Sequence, residues 1–504
     1  MRRLLSISLS PLLLATACAT AHAPPSAPEA AQATEPASQA ASQTAGASAA
    51  SVAGSAASGT AAPAGGAAPA GTAAAPERPF GTLRAQAERQ QAWLRERLDS
   101  ALPKLMREHG VDMWVVPMRE YNEDPVFRAL AAPTTHAARR RTIYVFFDRG
   151  EQGIERLALG GGSQGGVFEA KRAQRQVDAG AANRAAELWG PEMWSVLKQV
   201  VEARNPRVIA IDVSRTFAFA DGLSHGEYLG MSEALGPKWV QRFRPAEGLA
   251  VDLLAWRVPD EERFFAEETR LAWDIISTAF SNQVITPGVT RTKDVQWYMR
   301  QRLADLGLDT WFHPSVEVQR KGADAEALGD DPVIQRGDVL HCDFGITALG
   351  LNTDTQHMGY VLREGETEVP AGLRAALRAS NRLQDIVVGE LRPGRTGNEI
   401  LKASLAKMQA AGLDGTVYSH PVGLHGHAAG PMIGLWDHQE GVPGNGDHRV
   451  IPRQWFSIEL QATSPVPEWD GQRVSSAQEE DVIVDAVGRV RWAFQRQEQF
   501  HLVR

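Results

Sequence analysis

The sequence predicts an α+β protein with a smaller α/β domain followed by a larger domain built from two similar α/β halves. Three observations carry this. The segment from Ala19 to about Pro76 is almost wholly Ala, Pro, Ser, Gly and Thr, a composition that buries too little apolar surface to fold. Between 78 and 257, short apolar strands alternate with helical stretches, the pattern of an α/β layer structure. After 258, one helix–turn–helix pattern occurs twice, with Pro287 and Pro393 106 positions apart, as in an internal duplication.

With 504 residues, of which 43% are hydrophobic, the chain is long enough for two or three cores. A formal charge of −8 argues against a nucleic-acid partner, which calls for a basic face. Two cysteines, Cys18 and Cys342, exclude a disulfide framework.

The N-terminus reads as a targeting segment. Met1-Arg2-Arg3 is basic, and Leu4 to Leu14 is an apolar run of signal-peptide length, too short to span a bilayer. Leu14-Ala15-Thr16-Ala17-Cys18 is similar to a bacterial lipobox. The competing cleavage after Ala21-His22-Ala23 is opposed by Pro24. The expectation is a signal peptide over 1–18, export to the cell envelope, a lipid anchor on Cys18 as the only membrane contact, and a flexible tether over 19–77.

In the first folded domain, 78–257, apolar residues at helical spacing over Gln86 to Met106 predict a helix. Strands are expected at Val111–Pro117, Arg141–Phe147 and Arg207–Val213, with a helix over Glu192 to Glu202. Gly160-Gly161-Gly162 lacks the Lys-Ser/Thr of a phosphate loop and reads as a turn. Glu120 to Asp124 and His136 read as a solvated loop.

The second domain, 258–504, opens with a helix over Glu261 to Asn282. The turn Thr286-Pro287-Gly288-Val289-Thr290 follows, then a helix from Lys293 to Leu306 stopped by Gly307. The same order returns as a helix over Leu373 to Leu391, the turn Arg392-Pro393-Gly394-Arg395-Thr396, and a helix from Glu399 to Ala411 stopped by Gly412. A site between two such halves is a natural cleft.

The chemistry concentrates in four stretches of this domain. Val339-Leu340-His341-Cys342-Asp343-Phe344-Gly345 reads as a buried strand, and Asp354 follows Asp343 by eleven positions across a turn. His420 to Gly430 is a His- and Gly-rich cluster. Glu459 interrupts an apolar strand, and Gln478-Glu479-Glu480-Asp481 opens another. Buried carboxylates are costly unless a cation meets them. Carboxylates with one imidazole suit divalent metals such as Mn²⁺, Co²⁺, Fe²⁺ or Zn²⁺, and paired ions are the means by which dinuclear hydrolases activate water. Cys342 points to the opposite strand face from Asp343 and reads as a small buried apolar residue.

At these residues the domain resembles the pita-bread metallopeptidases: methionine aminopeptidase, aminopeptidase P and prolidase. Their ligand order is Asp, Asp, His, Glu, Glu, and the resemblance implies a pita-bread fold with two divalent ions, Mn²⁺ foremost and Co²⁺ or Zn²⁺ as alternatives. Carried over, it implies Asp343, Asp354, His427, Glu459 and Glu479 as metal ligands. His427 is chosen for its His-x-x-Gly context, Glu459 for Ser457-Ile458-Glu459, and Glu479 over Glu480 by register with the apolar residues that follow. Glu459 is also the implied general base and acid. Residues 78–257 resemble the N-terminal domain of aminopeptidase P and prolidase. The complete ligand set argues against the creatinase-like variant, which lacks the metals.

Three departures from the family pattern follow from this alignment. A second His usually stands seven after the metal His, whereas His438 stands eleven after His427. A His four before it is replaced by Gly423, with His420 and His425 as substitutes nearby. An Arg two before the last Glu, tied to recognition of proline peptides, is replaced by Ala477. His425 and His438 are therefore taken as further catalytic candidates. The implied activity is hydrolysis near the N-terminus of short peptides, aminopeptidase P-like, with a prolidase-type dipeptidase or a non-catalytic peptide-binding protein as alternatives. A homodimer is a further expectation from the family.

Overall fold

The computed structural model describes residues 78–171 and 192–504. The signal peptide, Cys18 and the tether expected over 1–77 lie outside the described residues. No helix among the described residues is long and apolar enough to cross a membrane.

The N-terminal lobe holds a six-stranded sheet. Its strands are β1 (Met113–Arg119), β2 (Arg141–Asp148), β3 (Ile154–Leu159), β4 (Glu169–Lys171), β5 (Ile209–Ile211) and β6 (Phe243–Pro245), in the order β4-β3-β2-β1-β5-β6. Both faces are covered, and β1 shows it by alternation. Met113 and Val115 join the core beneath helix Glu192–Arg204, with Met193 and Leu197. Trp114 and Val116 join the opposite core, with Leu98, Leu102 and Leu254.

The helix expected over Gln86 to Met106 runs as Leu83–Glu96 and Leu102–Glu108, with a π-helical stretch at Arg97–Ala101 between them. That bulge turns Arg97 inward. Arg97 is buried and ion-paired to Glu261 at the start of the following lobe.

The C-terminal lobe is organised by a nine-stranded sheet. Along the chain its strands, with one small hairpin, are β7 (Ser315–Gln319), β8 (Val339–Phe344), the hairpin β9 (Thr347–Ala348) and β10 (Leu351–Asn352), β11 (Thr355–Val361), β12 (Gly415–Val417), β13 (His420–Val422), β14 (Trp455–Pro465), β15 (Arg473–Val484), β16 (Val490–Trp492) and β17 (His501–Val503). The main path is β12-β14-β15-β11-β8-β7. From edge to centre, the first half contributes β7, β8, β11 and the second β12, β14, β15, in the same chain order.

The helices repeat with the strands. Pro259–Ala279 and Thr292–Leu306 pack Ile276, Phe280 and Met299 on Leu340, Cys342 and Phe344. Ala371–Glu390 and Gly397–Ala410 pack Leu383, Val387 and Leu401 on Ile458, Leu460 and Val482. The two Pro-Gly turns do the same job in each half. Gly288 (φ 81°) donates its N–H to Ile334 at 2.8 Å, and Gly394 (φ 87°) donates to Val450 at 2.8 Å. Ile334 and Val450 each lie five residues before the middle strand of their half, β8 or β14. With period-2 alternation, the side chains facing the helices leave their neighbours to point at the opposite face of the sheet.

Candidate metal centre

The acids come together through strand register. Glu459 on β14 is the direct partner of Glu479 on β15, Glu479 of Gln356 on β11, and Gln356 of Asp343 on β8. Four polar side chains thus form one row across the middle of the sheet, on the face away from the helices. Asp354 enters just before β11, with its N–H on Asp481 Oδ2 at 3.3 Å and its carbonyl accepting from Ser457 Oγ at 3.1 Å. Carboxylate oxygens of Asp343, Asp354 and Glu479 all lie within 4.8 Å of one another.

Such a cluster needs protons or a cation. Burial first, and the neighbouring Glu479 next, push the Asp343 carboxyl up to about 8 and that of Glu459 up to about 10. The same two causes raise Asp354 well above its ordinary range. Asp343 Oδ1 and Asp354 Oδ1 are buried without a hydrogen-bond partner, the condition expected of oxygens shaped to meet an ion.

His420 completes the cluster. It lies on β13 opposite Ser457 of β14 and is fully buried. Its Nδ1 sits 3.0 Å from the Pro421 carbonyl, an acceptor only, so Nδ1 carries the proton and donates. Nε2 is thereby turned on three carboxylates, at 3.2 Å from Glu479, 3.5 Å from Asp354 and 3.8 Å from Glu459.

The sequence reading expects His427 among the ligands; the structure turns His420 on three of the acids and sets His427 beside Asp354 and His420. His427 stands at the mouth, open to solvent, with Nε2 3.1 Å from the Tyr418 hydroxyl and its ring 5.0 Å from that of Trp311. Desolvation first, and His420 next, push its imidazole down to about 4. One of its nitrogens comes within 4.8 Å of Asp354 and His420 ligand atoms, but not of Asp343, Glu459 and Glu479 as a set. Gly426 makes this placement possible, since a Cβ there would stand 2.0 Å from the Trp311 ring. The signal was present in the sequence: His420-Pro421-Val422-Gly423 is also His-x-x-Gly, and His427 stands seven residues after it.

With that register one apparent departure dissolves, since His427 stands seven residues after His420. The other moves without closing, because the position four before His420 is Thr416, again not a His. His425 and His438 are not brought to the acids. His425 turns to the N-terminal lobe, its ring 4.7 Å from that of Phe219, and burial followed by Arg128 and Arg257 pushes it down to about 4. His438 lies in an exposed turn beside Glu440.

Glu480 faces the other side of β15. It accepts from the Gln497 N–H at 2.8 Å and meets His357 Nε2 at 3.3 Å. Cys342 is buried among the helix-facing apolar residues, which pushes its thiol up.

Sequence reasoning missed Gln356. Its amide nitrogen donates to Glu459 Oε1 and to Glu479 Oε2, both at 2.8 Å, and its carbonyl oxygen lies 2.9 Å from His341 Nε2. The available signal was its place two residues after Asp354, which puts both on one strand face. Beside Glu459 a cleft of about 280 Å³ opens, bordered by His341, Tyr418, Trp436 and Ala477.

Residues 267–486 match the family described as metallopeptidase family M24. No curated protein matches the chain. Among solved structures, the X-Pro aminopeptidase from Thermotoga maritima MSB8 is similar at TM-score 0.54 and 16% identity, over 79% of this chain and 100% of that one. A dipeptidase from Pyrococcus horikoshii OT3 is similar at 0.53 and 17%, over 81% and 100%. The N-terminal domain of FACT complex subunit SPT16 from Cicer arietinum (chickpea) is similar at 0.51 and 12%, over 83% and 99%. At these identities the likeness is one of fold, and its extent takes in both lobes. The acid row, the duplicated halves and the family match converge on the C-terminal lobe: it carries a metallopeptidase family M24 domain over residues 267–486, with the pita-bread fold.

Proposed function

We propose that this peptidase hydrolyses bonds near the N-terminus of short peptides with two divalent cations, in the manner of an aminopeptidase P. The observation that carries the reading is His420 Nε2 turned on Asp354, Glu459 and Glu479, beside the partnerless oxygens of Asp343 and Asp354. Asp343, Asp354, His420, Glu459 and Glu479 fit a pair of cations, and an oxygen-rich donor set favours Mn²⁺ over Co²⁺ or Zn²⁺. Bound there, the cations supply Lewis acidity and a water of lowered pKa.

The protein's own groups supply the rest. Of the four clustered acids, Glu459 is the one that borders the cleft, and one of its oxygens is fixed by Gln356. It is placed to take a proton from water and to deliver one to the leaving amine. His427 at the mouth, held by Tyr418, is placed to donate to the substrate carbonyl.

The experiment is metal removal from the full chain, then separate addition of Mn²⁺, Co²⁺ or Zn²⁺. Matched tripeptides with Pro or Ala second are assayed beside a dipeptide ending in Pro. Metal-dependent cleavage before Pro supports the aminopeptidase P reading. Cleavage of the dipeptide alone favours a prolidase-type enzyme, and cleavage without a Pro requirement keeps the peptidase and discards both subtypes. No turnover with any metal moves the reading to a peptide-binding protein on the same scaffold.

For the N-terminus, the lipobox-like Leu14 to Cys18 supports export and a lipid anchor in a bacterial envelope. A Cys18→Ser chain should leave the membrane fraction; its retention there overturns the anchor.

A further inference from the structure

Trp436 is 72% exposed. Exposed apolar side chains taken singly call for no explanation, but this one is held in place. It sits at the tip of a tight turn closed by Leu435 N–H to His438 O at 3.2 Å and His438 N–H to Leu435 O at 3.0 Å. Gln439 pins the turn to the cleft strand. Its amide donates to the carbonyls of Val417, at 2.9 Å, and Leu435, at 2.7 Å, and its carbonyl accepts from Val417 N–H at 3.0 Å. The indole borders the same cleft as Glu459.

The cleft floor sets two short side chains, Thr416 and Ala477, either side of Gln461, and Glu317, Gln319 and Leu460 also line the cleft. Thr416 on β12 is the partner of Gln461 on β14, which is the partner of Ala477 on β15. This row lies two residues from Glu459 and Glu479, hence on the same sheet face. Ser475 continues it outward. The result is a recess of about 280 Å³ bordered by two acids, Glu459 and Glu317, with an uncovered indole on its wall.

We propose that this recess takes a bulky apolar or aromatic side chain flanking the scissile bond, with Trp436 as its stacking wall and Ala477 and Thr416 as the space for it. The proposal deepens the peptidase reading above and rests on it. Stacking a ring on the indole and removing both from water favours such a residue over Ala by about tenfold or more.

The test uses the full chain loaded with the metal that supports turnover. Tripeptides vary Ala, Leu, Phe and Pro at the first and second positions, and calorimetry measures binding of the same series to a Glu459→Gln chain. At one position, wild type should prefer Phe or Leu to Ala by about tenfold or more in kcat/KM. Trp436→Ala should shrink that ratio toward unity, Trp436→Phe should restore much of it, and Ala477→Arg should abolish it by filling the recess. Turnover with a ratio unchanged in Trp436→Ala overturns the inference and leaves the peptidase reading standing. If no peptide is hydrolysed, the peptidase reading fails. The calorimetric preference for Phe peptides, present or absent, then decides the inference separately.

Discussion

Glu459 and Glu479 face each other as direct partners on β14 and β15, and Gln356 reaches between them with a single amide nitrogen. Two carboxylates at this spacing repel, and a donor shared by both fixes which oxygens remain free for other work. Gln356 is itself steered by His341. Replacing Gln356 by Ala should free both glutamates and cut divalent-ion affinity by about 10–100-fold. Gln356→Glu, which adds a fifth carboxyl beside four, should be more damaging at neutral pH. Isothermal titration with Mn²⁺ measures both. Unchanged affinity in Gln356→Ala would show that strand register alone holds the pair.

The acid cluster predicts a pH-dependent response to chelation. Burial and Glu479 raise the Asp343 carboxyl to about 8 and Glu459 to about 10. Carboxyls raised on folding stabilise the protein below their unfolded pKa, near 4. That contribution is lost as pH climbs through the folded values. Chelated protein should therefore lose stability steadily between pH 5 and pH 9. Cations compete with these protons, so loading should protect more as pH rises. At a free-ion concentration of 100 Kd the protection is about 2.7 kcal/mol. Thermal melts of chelated and Mn²⁺-loaded chain across that range should diverge with pH; parallel curves would remove the cluster as the cation site.

His420 and His427 should separate in their effects. His420 lies fully buried with Nε2 on three acids, and His427 lies at the mouth on Tyr418. His420→Ala should lose cation affinity by about 100-fold or more, since it removes a ligand and opens a cavity in the cluster. His427→Ala should keep the cations and lose turnover by about 10²–10⁴-fold, the usual range for a proton donor or acceptor. Metal content by elemental analysis, set beside peptide turnover, checks both. The reverse pattern would restore His427 as the ligand.

What was legible in the sequence followed from local rules. Period-2 alternation around Asp343, Glu459 and Glu479, the Pro-Gly turns and the Gly stops were sufficient for the strands, the helices and the duplication. The His-rich loop was not settled by such rules. Both His420 and His427 satisfy His-x-x-Gly, and what distinguishes them is that His420 lies on a three-residue strand paired with β14. Short strands of this kind carry little periodicity to read. Gln356 was missed because an amide advertises no charge, although its position two after Asp354 fixed its face. Trp436 gave no signal because its place depends on Gln439 reaching back to β12, a long-range contact with no local pattern.

A last prediction concerns how the two lobes are tied. Asp252, in the helix Glu247–Ala255 that ends the N-terminal lobe, is 7% exposed and bridges two histidines. His109 Nε2 lies 2.8 Å from one oxygen and His448 Nε2 2.9 Å from the other. Burial pushes the carboxyl up, but hydrogen bonds from His109 and His448 prevail and hold it below the ordinary range. A carboxyl depressed on folding stabilises above its unfolded pKa, and the contribution is lost as pH falls through the folded value. This clamp is therefore lost in acid, opposite in sign to the cluster at Asp343. Asp252→Ala leaves two imidazoles without their acceptor and should destabilise by about 2 kcal/mol at neutral pH. The difference from wild type should narrow below about pH 4. Urea unfolding of metal-loaded chains at pH 7 and pH 4 measures it, and a deficit of the same size at both values would show that the loss is one of packing and not of charge.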